Sequence, residues 1–405
     1  MQPPQTWEIL IIGAGPAGLS TALHLARLAP ELTARILILE KAHHPRPKLC
    51  GGALVVDAEV SLRRLGLDVN EVPHVDATTA HFDFAGRGLA LRQWRGRTLR
   101  LVARDEFDAW LAQKVRQAGI VIREDLPVRS IQVGPDGVTV ETESDRLQAR
   151  LVVGADGANG VVRACVLPGE RRTTARLLEV LVPPNDASRH RPQDAYFDFR
   201  PVPLGVAGYT WDFPTQVGGK PMRSWGIYDA NIFSSEARPA LRQILGDEMS
   251  RHGHSLEGIR IQSHPIRWFE PYNRLSVPRV LLVGDAAGAD AIFGEGISFA
   301  LGSGRLAAAA IRRAFRRNDF SFRGYQARVL LSPLGQALVR RWFLAYILYS
   351  LRWRWFQWLL WRILKPFVAL IAETLVIHWA WRDRAMGSGS VSGNRGNSTR
   401  VPEDR

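Results

Sequence analysis

Cysteine is nearly absent from this chain of 405 residues, which contains only Cys50 and Cys165. Two cysteines cannot form a disulfide framework, and so low a content indicates a reducing compartment. Residues 1–8 also lack the succession of basic, apolar and small residues that marks a signal peptide. The histidines have no metal-ligand spacing and no cysteine pair beside them. We therefore expect a cytoplasmic protein without a metal site.

Acidic residues are fewer than basic ones: 39 Asp and Glu face 53 Lys and Arg, which leaves a net charge of +14. Almost all of the excess lies between residues 305 and 384, where 15 Lys and Arg accompany 3 Asp and Glu, whereas residues 1–304 are nearly neutral. Excess positive charge indicates an anionic partner, which is either nucleic acid or a membrane. Because the charge is confined to one C-terminal segment, such a partner is expected to bind there.

The first 40 residues have the pattern of a strand, a glycine turn, a helix and a second strand. Ile9–Ile12 is an apolar run, Gly13–Gly18 reads GAGPAG, Leu19–Leu28 is helical in period, and Arg35–Leu39 is a second apolar run. In such a unit the glycines make the turn, admit a pyrophosphate and pack helix on strand, and a following acid accepts hydrogen bonds from a ribose. A glycine turn without a ligand is the weaker alternative. The predicted dinucleotide site consists of Gly13, Gly15, Ala17, Gly18 and Glu40.

The remaining pattern predicts that this first fold is discontinuous. Leu151–Val153 and Val280–Val283 are short apolar strands that return to it, whereas residues 77–101 and 175–261 have the aromatic, alternating pattern of an antiparallel sheet. We predict an α/β fold (α+β overall) with a Rossmann-like domain, an inserted antiparallel β-sheet domain for the substrate and a C-terminal helical segment. The predicted boundaries are 1–76, 102–174 and 262–330 for the first domain, 77–101 and 175–261 for the second, 331–386 for the helical segment and 387–405 for a disordered tail.

Three further segments bear on the cofactor, since NAD and FAD share the glycine fingerprint. They are Val102–Asp108 (VARDEFD), Val152–Gly157 (VVGADG) and Leu282–Gly288 (LVGDAAG), which leads to Gly294–Ile297 (GEGI). With them the sequence resembles the flavoproteins typified by p-hydroxybenzoate hydroxylase. The resemblance implies that the Rossmann-like domain is an FAD-binding domain and that FAD is the cofactor.

The same resemblance implies roles for individual residues. Asp285 would bind the ribityl hydroxyls, and the amides of Gly296 and Ile297 would lie near the flavin at a helix N-terminus, whose dipole stabilises negative charge. Arg104 would bind the diphosphate or ribityl region, and Val128 would hold adenine through its backbone.

Two motifs narrow the resemblance to the geranylgeranyl reductase family, which hydrogenates isolated double bonds of polyprenyl chains. Lys48–Ala53 reads KLCGGA and Gly208–Pro214 reads GYTWDFP. The resemblance places Cys50 and Gly51 beside the flavin, where the Cys50 thiol either donates a proton and shapes the pocket or packs as a small apolar residue. Strand alternation puts three aromatic residues on one face, either as the lining of a substrate pocket or as ordinary sheet core. They are Tyr209, Trp211 and Phe213.

The chemistry of an isolated alkene assigns tasks to these residues. The alkene has no carbonyl to delocalise negative charge, so protonation of one carbon and hydride delivery to the other is the plausible route. The protein must then exclude water, supply a proton and shield positive charge with aromatic faces. The candidate catalytic residues are Cys50, Tyr209 and Trp211.

The electron donor is expected to bind only transiently. The chain has no second strand-linked GxGxxG and thus no dedicated NAD domain, so the electrons would come from visiting NADPH or from a ferredoxin-type carrier. Gly160 departs from the family pattern, in which a serine usually follows the Asp-Gly motif that is thought to serve both FAD and reduced nicotinamide.

Residues 340–382 combine tryptophan with arginine, and seven of the 13 tryptophans lie between Trp342 and Trp381. On a single helix, one apolar stripe would face away from a polar remainder that includes Arg341 and Gln357. Arg352 and Arg354 argue against a spanning helix. We expect an interfacial helix on an anionic membrane; packing on the protein's own core or on a partner subunit is the alternative, and a nucleic-acid surface is disfavoured. The predicted stripe is Trp342, Tyr346, Tyr349, Trp353, Phe356, Leu360 and Leu364.

These observations converge on one functional hypothesis. The protein is expected to be an FAD-dependent reductase of isolated C=C bonds in a polyprenyl lipid, peripherally attached to the membrane where that lipid resides. The alternatives are an FAD-dependent monooxygenase of the same fold acting on an apolar or aromatic substrate, and a non-catalytic prenyl-binding chaperone.

Overall fold

The computed structural model describes residues 5–92, 97–170, 174–233 and 239–382. The tail predicted at 387–405 lies outside these residues. The strands are β1 (Gln5–Ile12), β2 (Ile36–Leu39), β3 (Ala53–Leu54), β4 (His74–Ala77), β5 (Thr79–Asp83), β6 (Gly88–Arg92), β7 (Leu99–Val102), β8 (Val121–Arg123), β9 (Val128–Val133), β10 (Val138–Thr142), β11 (Arg146–Gly154), β12 (Thr174–Val182), β13 (Ala195–Asp198), β14 (Gly208–Val217), β15 (Lys220–Asp229), β16 (Gln262–Arg267), β17 (Ser276–Val277) and β18 (Val280–Leu282).

The helices surround two main sheets and continue to the end of the described chain. They are α1 (Pro16–Leu28), α2 (Val56–Arg64), α3 (Arg104–Gln117), α4 (Val161–Val166), α5 (Leu241–Ser250), α6 (Ile297–Arg317), α7 (Tyr325–Leu331), α8 (Pro333–Ser350), α9 (Arg354–Arg362), α10 (Lys365–Ile371) and α11 (Trp379–Arg382).

The first sheet has the predicted Rossmann-like form. Strands β18, β11, β1, β2 and β8 lie side by side in that order and run parallel, while β17 and the β9–β10 hairpin add antiparallel pairs. β2 is buried along its whole length, as expected for a parallel strand covered on both faces. On one face α1 and α6 pack so closely that Ser20 Oγ donates to the Leu301 carbonyl at 2.7 Å. The carboxyl ends of these strands are where a dinucleotide binds in such folds.

The second sheet has seven strands in the order β16, β12, β15, β14, β13, β5, β6. Its pairs are antiparallel apart from β13 and β5, which are parallel. β16, which the prediction assigned to the first domain as the start of 262–330, pairs with β12 of this sheet. Ile266 on β16 belongs to the aromatic core of the second sheet.

The C-terminal segment is not the single helix that its periodicity suggested. The chain leaves helical geometry at 351–353, and α9 begins at Arg354. Gln357 was expected on the polar face but is fully buried. Its side-chain amide donates to the Leu351 carbonyl at 2.8 Å and its oxygen accepts from Trp361 Nε1 at 3.0 Å. The predicted stripe is therefore divided: Tyr349 is buried in the core of the second sheet, whereas Trp353 is 58% exposed.

Part of this segment packs on the body of the protein. Trp361 stacks on Phe199 of the substrate domain with ring centroids 4.3 Å apart, and Trp379 stacks on Phe299 of α6 at 5.5 Å. Other large apolar side chains of the segment remain exposed. In the described part of the chain no helix combines the length and apolar character that a bilayer span requires.

Candidate active site

A cavity of ≈ 630 Å³ is bounded by both sheets and by the C-terminal segment. Its wall includes the glycine turn, the KLCGG loop, the aromatic face of β14 and Arg341 of α8. Of the residues predicted from sequence, only Gly18 is missing from the wall. Those that line the cavity are Gly13, Gly15, Ala17, Glu40, Cys50, Gly51, Arg104, Val128, Tyr209, Trp211, Phe213, Asp285, Gly296 and Ile297.

The three glycines of the turn differ in what surrounds them. Gly13 has φ +104°, and a Cβ there would lie 2.4 Å from the Ala155 carbonyl oxygen. A Cβ on Gly18 would lie 2.1 Å from the Gly13 oxygen, so this glycine allows helix and turn to pack. At Gly15 the nearest atom would be Arg46 Nη2 at 3.7 Å. The backbone of Gly15 is therefore open to the cavity, as close approach by a pyrophosphate requires.

Two arginines bring positive charge to this end of the cavity. Arg104 Nε and Nη2 donate to the two oxygens of Asp108 at 3.0 and 3.1 Å, and Arg46 Nη2 lies 3.4 Å from the same carboxylate. Burial alone would lower the pKa of Arg104, but Asp108 and Cys50 beside it raise that pKa above its ordinary value. Sequence reasoning missed Asp108 and Arg46. The only available signal was the position of Asp108, one helical turn after Arg104.

Four carboxylates line the wall of the cavity: Glu40, Asp156, Asp285 and Glu295. Glu40 Oε2 accepts from the Ala14 amide at 2.7 Å, which holds the acid against the turn. Asp156 Oδ2 accepts from the Val162 amide at 2.9 Å, whereas its buried Oδ1 has no hydrogen-bond partner in the described residues. Burial raises the pKa of Asp156 to about 6. A Cβ on Gly160 would lie 2.2 Å from Asp156 Oδ1. This conformation of the carboxylate therefore leaves no room for the serine that the family pattern usually has at this position.

The loop before α6 is held by hydroxyl groups from three elements. Tyr228, Tyr349 and Tyr209 donate to the carbonyls of Ala291, Ile292 and Phe293, respectively. Tyr209 was predicted as catalytic, and its ring does line the cavity. Its hydroxyl, however, is 2.6 Å from the Phe293 oxygen, and burial raises its pKa well above the ordinary value. The geometry therefore makes this hydroxyl a support of the loop.

Arg341 of α8 reinforces the same loop from the C-terminal segment. It is buried, and its Nη1 lies 3.1 Å from Asp290 and 3.3 Å from Glu295. Arg341 was expected on the polar face of a helix; its pairs with the buried Asp290 and the partly buried Glu295 explain why it is inside. Glu295 in turn accepts from the Ser298 amide at 2.9 Å, at the start of α6. The arginine thus fixes the helix terminus where Gly296 and Ile297 stand.

The groups at this end of the cavity fit FAD. The open backbone at Gly15 and the cations Arg46 and Arg104 suit a diphosphate. Asp156 Oδ1, buried without a donor, and Asp285, beside Gly296, can accept from hydroxyl groups of the cofactor. Among the described residues no group of His, Cys, Asp and Glu is placed to hold a metal ion.

The other end of the cavity joins the KLCGG loop to the aromatic strand. A Cβ on Gly51 would lie 3.0 Å from the Phe213 ring and 3.5 Å from Trp211 Nε1, so loop and aromatics are in close contact. Cys50 Sγ accepts from the Gly52 amide at 3.4 Å. Lys48 Nζ lies 2.6 Å from His264 Nε2. Burial lowers the pKa of Lys48, and burial together with Lys48 lowers the pKa of His264 to about 4.

Asp285→Ala is expected to lower FAD retention by roughly tenfold or more, because hydrogen bonds to a charged acceptor contribute about 1.5–3 kcal/mol. The ratio of flavin to protein absorbance after gel filtration measures this retention. Asp136→Ala, a change in a surface turn between β9 and β10, serves as a control and should keep the wild-type ratio. Normal flavin content in Asp285→Ala would contradict the ribityl assignment.

Comparison with known proteins agrees with this geometry. The model of the FAD binding domain family matches residues 6–291. The chain is 28% identical to geranylgeranyl diphosphate reductase of Rhodobacter capsulatus over 75% of this chain and 74% of the relative. It is also 28% identical to digeranylgeranylglycerophospholipid reductase of Thermoplasma volcanium, over 78% of this chain and 81% of the relative.

Solved structures share the fold. A geranylgeranyl bacteriochlorophyll reductase-like protein of Thermoplasma acidophilum superposes with a TM-score of 0.74 at 20% identity, over 95% of this chain and 97% of that chain. The halogenase PltM, in a complex with phloroglucinol and FAD, gives 0.68 at 17% identity, over 94% and 86%. The fold alone therefore does not specify the reaction. The protein belongs to the FAD binding domain family and is an FAD-dependent oxidoreductase.

Proposed function

We propose that the protein reduces isolated C=C bonds of a polyprenyl lipid that it takes from a membrane surface. The observation that carries this proposal is the contact between the KLCGG loop and the aromatic face of β14 within the cofactor's own cavity. FAD, once reduced, supplies the hydride. The chain supplies an apolar channel whose lining includes Leu177, Phe197, Phe213, Ile266 and Phe293.

These side chains perform two tasks for an alkene. They exclude water, which suits a hydrocarbon substrate. The ring faces of the aromatic side chains also attract the positive charge that develops when one carbon is protonated. Trp211 is 3% exposed and contacts the loop that carries Cys50. A thiol at this position can donate the proton, as can the nearby Lys48 ammonium.

The test is the product. Reduced protein and a polyprenyl lipid, incubated without oxygen, are expected to give products heavier by successive pairs of hydrogens in a mass spectrum. A product that gains one oxygen atom in air would instead support the monooxygenase alternative. The fold of the halogenases, which act differently, keeps that alternative relevant.

We propose that electrons reach the bound flavin from visiting NADPH or from a ferredoxin-type protein. In the described residues, the unit formed by β1, the glycine turn and α1 is the one dinucleotide-binding unit. The rates at which each donor reduces the bound flavin, followed by its absorbance, distinguish the two sources.

The exposed face of the C-terminal segment supports attachment to an anionic membrane. Of the 18 large apolar side chains exposed in the described residues, 12 lie between Leu331 and Trp381. The most exposed include Trp355 and Phe367, at 64% and 65%, and the exposed cations Arg354 and Lys365 accompany them. Aromatic side chains beside basic ones suit an in-plane segment at the headgroup level of anionic lipid.

A triple variant, Trp353→Gln, Trp355→Gln and Phe367→Gln, is expected to reduce binding to phosphatidylserine vesicles by on the order of tenfold or more, because each lost side chain withdraws about 1.5–3 kcal/mol of possible apolar burial. Co-sedimentation measures the binding. Truncation is unsuitable because buried residues such as Trp379 would be lost with the segment.

The control for this triple variant is the double variant Leu204→Gln and Val217→Gln, which removes exposed apolar side chains from the substrate domain. It should sediment as the wild type does. Equal binding by the triple variant and the control would contradict the assignment of the C-terminal face.

A further inference from the structure

Glu179 on β12 connects the two substrate-side motifs. It lies on the cavity face of the second sheet, since it is two residues from Leu177 on one strand, and it is 5% exposed. Ser224 Oγ donates to Glu179 Oε1 at 2.7 Å, and Trp211 Nε1 donates to Ser224 Oγ at 3.1 Å. The backbone amide of Cys50 is the carboxyl group's other polar neighbour. A relay thus runs from the carboxyl group to an indole in the cavity wall.

Among the residues that the structure describes, no cation compensates this buried acid. Burial raises the pKa of Glu179 to about 7, and the Ser224 hydroxyl and the Cys50 amide only partly oppose that rise. Its partners across the strands, Gly226 and Gln262, are uncharged. In the facing loop the titratable side chains are Cys50 and Lys48, and Lys48 is paired with His264 of β16. The carboxyl group therefore changes charge close to neutral pH.

The indole is held so that its polarity depends on this relay. A Cβ on Gly226 would lie 2.1 Å from Trp211 Cζ2, so the ring lies directly over the backbone of β15. Its N–H points to Ser224, and the residue lines the cavity. Hydrogen bonds in series strengthen one another, and those to an ionised group are the strongest. An anionic Glu179 therefore draws the indole proton toward Ser224 and leaves more electron density on the ring.

We propose that Glu179 is a positioning residue that, through Ser224, orients and polarises Trp211 so that the indole face stabilises positive charge developing on the substrate alkene. This inference rests on the proposed function. In the reaction one alkene carbon would take a proton from the Cys50 thiol or the Lys48 ammonium, and the other would take the hydride that bound, reduced FAD would supply. Glu179 transfers no proton to the substrate; its negative charge acts on the ring.

The first test is kinetic. In the wild type, kcat is expected to rise between pH 6 and pH 8 as Glu179 ionises. Glu179→Gln preserves size and the bond to Ser224 but not the charge, so its kcat should be roughly tenfold lower, lack this rise and show little change in KM. Ser224→Ala should lose the same rise, and the double variant should be no worse than either single one.

The matched control is Glu248→Gln. Glu248 is equally buried but lies on α5, where it pairs with Arg200 and Arg251, away from the cavity wall. It should retain the rise in kcat with pH. The same rise in Glu179→Gln as in the wild type would overturn the proposal.

The second test needs no substrate, so it separates this proposal from the proposed function. The ultraviolet difference spectrum attributable to Trp211, obtained against Trp211→Phe, is expected to titrate with a midpoint near pH 7 in the wild type and to stay constant in Glu179→Gln. Absence of prenyl reduction with this titration intact would reject the function alone. Identical titrations in wild type and Glu179→Gln would reject the relay.

Discussion

Gly13→Ala is expected to yield purified protein with less than one tenth of the wild-type flavin content. Gly13 has φ +104°, where a residue with a side chain is strained by about 1–3 kcal/mol. Its Cβ would also lie 2.4 Å from the Ala155 oxygen and 2.7 Å from the Ala155 carbonyl carbon. Backbone cannot rotate aside as a flexible side chain can, so the turn must open. The amides of the turn then no longer converge on the pyrophosphate.

The control for Gly13→Ala is Gly119→Ala. Gly119 also has a positive φ, +83°, but a Cβ there would meet nothing within 4 Å. This variant bears a comparable backbone strain without the collision, so it should keep its flavin. Flavin absorbance per protein and a thermal melt of both variants make the comparison. Full flavin content in Gly13→Ala would contradict the site at the turn.

Gly226→Ala is expected to lower prenyl reduction by about a hundredfold while FAD remains bound. The new Cβ would lie 2.1 and 2.3 Å from Trp211 Cζ2 and Cη2, and 2.5 Å from the Leu178 oxygen. The indole must move into the cavity and displace the substrate from its reactive position. A misplacement of about 1 Å costs on the order of a hundredfold in rate. Gly226 belongs to the second sheet, whereas the glycine turn and Arg104 at the cofactor end belong to the first domain, so FAD binding is expected to persist.

Gly218→Ala is the control for this change. Gly218 lies in the hairpin turn between β14 and β15 with φ +56°, and its Cβ would meet nothing within 4 Å. Turnover close to that of the wild type is expected. Both kcat and flavin content are measured in the two variants. Unchanged turnover in Gly226→Ala would show that Trp211 does not contact the reacting part of the substrate.

The sequence predicted those parts of the site that depend on local backbone geometry. The turn at Gly13 and Gly18 has to close between one strand and the next helix, so its glycine spacing is visible in the chain. The one-face placement of Tyr209, Trp211 and Phe213 follows from strand alternation alone. These residues all line the cavity, apart from Gly18, which packs behind it.

Residues that act across long sequence separations were not predictable in this way. Arg341 lies about 50 residues from its partner Asp290. In an amphipathic sequence pattern, a buried arginine cannot be distinguished from one on the solvent-exposed face of the helix. Glu179 is separated by 45 residues from Ser224 and has no motif around it. Gln357 was misplaced for a local reason: the break at 351–353 turns its side chain inward, where it caps α8. Periodicity over an unbroken helix cannot reveal such a break.

The chemistry proposed here depends on the substrate end of the cavity more than on the fold. The fold is shared with the halogenase PltM, whereas the contact of Gly51 with Phe213 and Trp211 joins the two motifs that resemble those of geranylgeranyl reductases. Under the proposed function, the exposed aromatic and basic residues near Trp355 would meet the membrane from which the lipid is taken. The relay from Glu179 then makes the aromatic wall sensitive to pH.

The most direct measurement of the central claim is anaerobic incubation of the dithionite-reduced protein with polyprenyl lipids, followed by mass spectrometry. We expect products that are heavier than the substrate by two hydrogens for each double bond reduced, and we expect Gly226→Ala to lose them. Recovery of every polyprenyl lipid at its original mass, by protein that carries a full complement of reduced flavin, would contradict it.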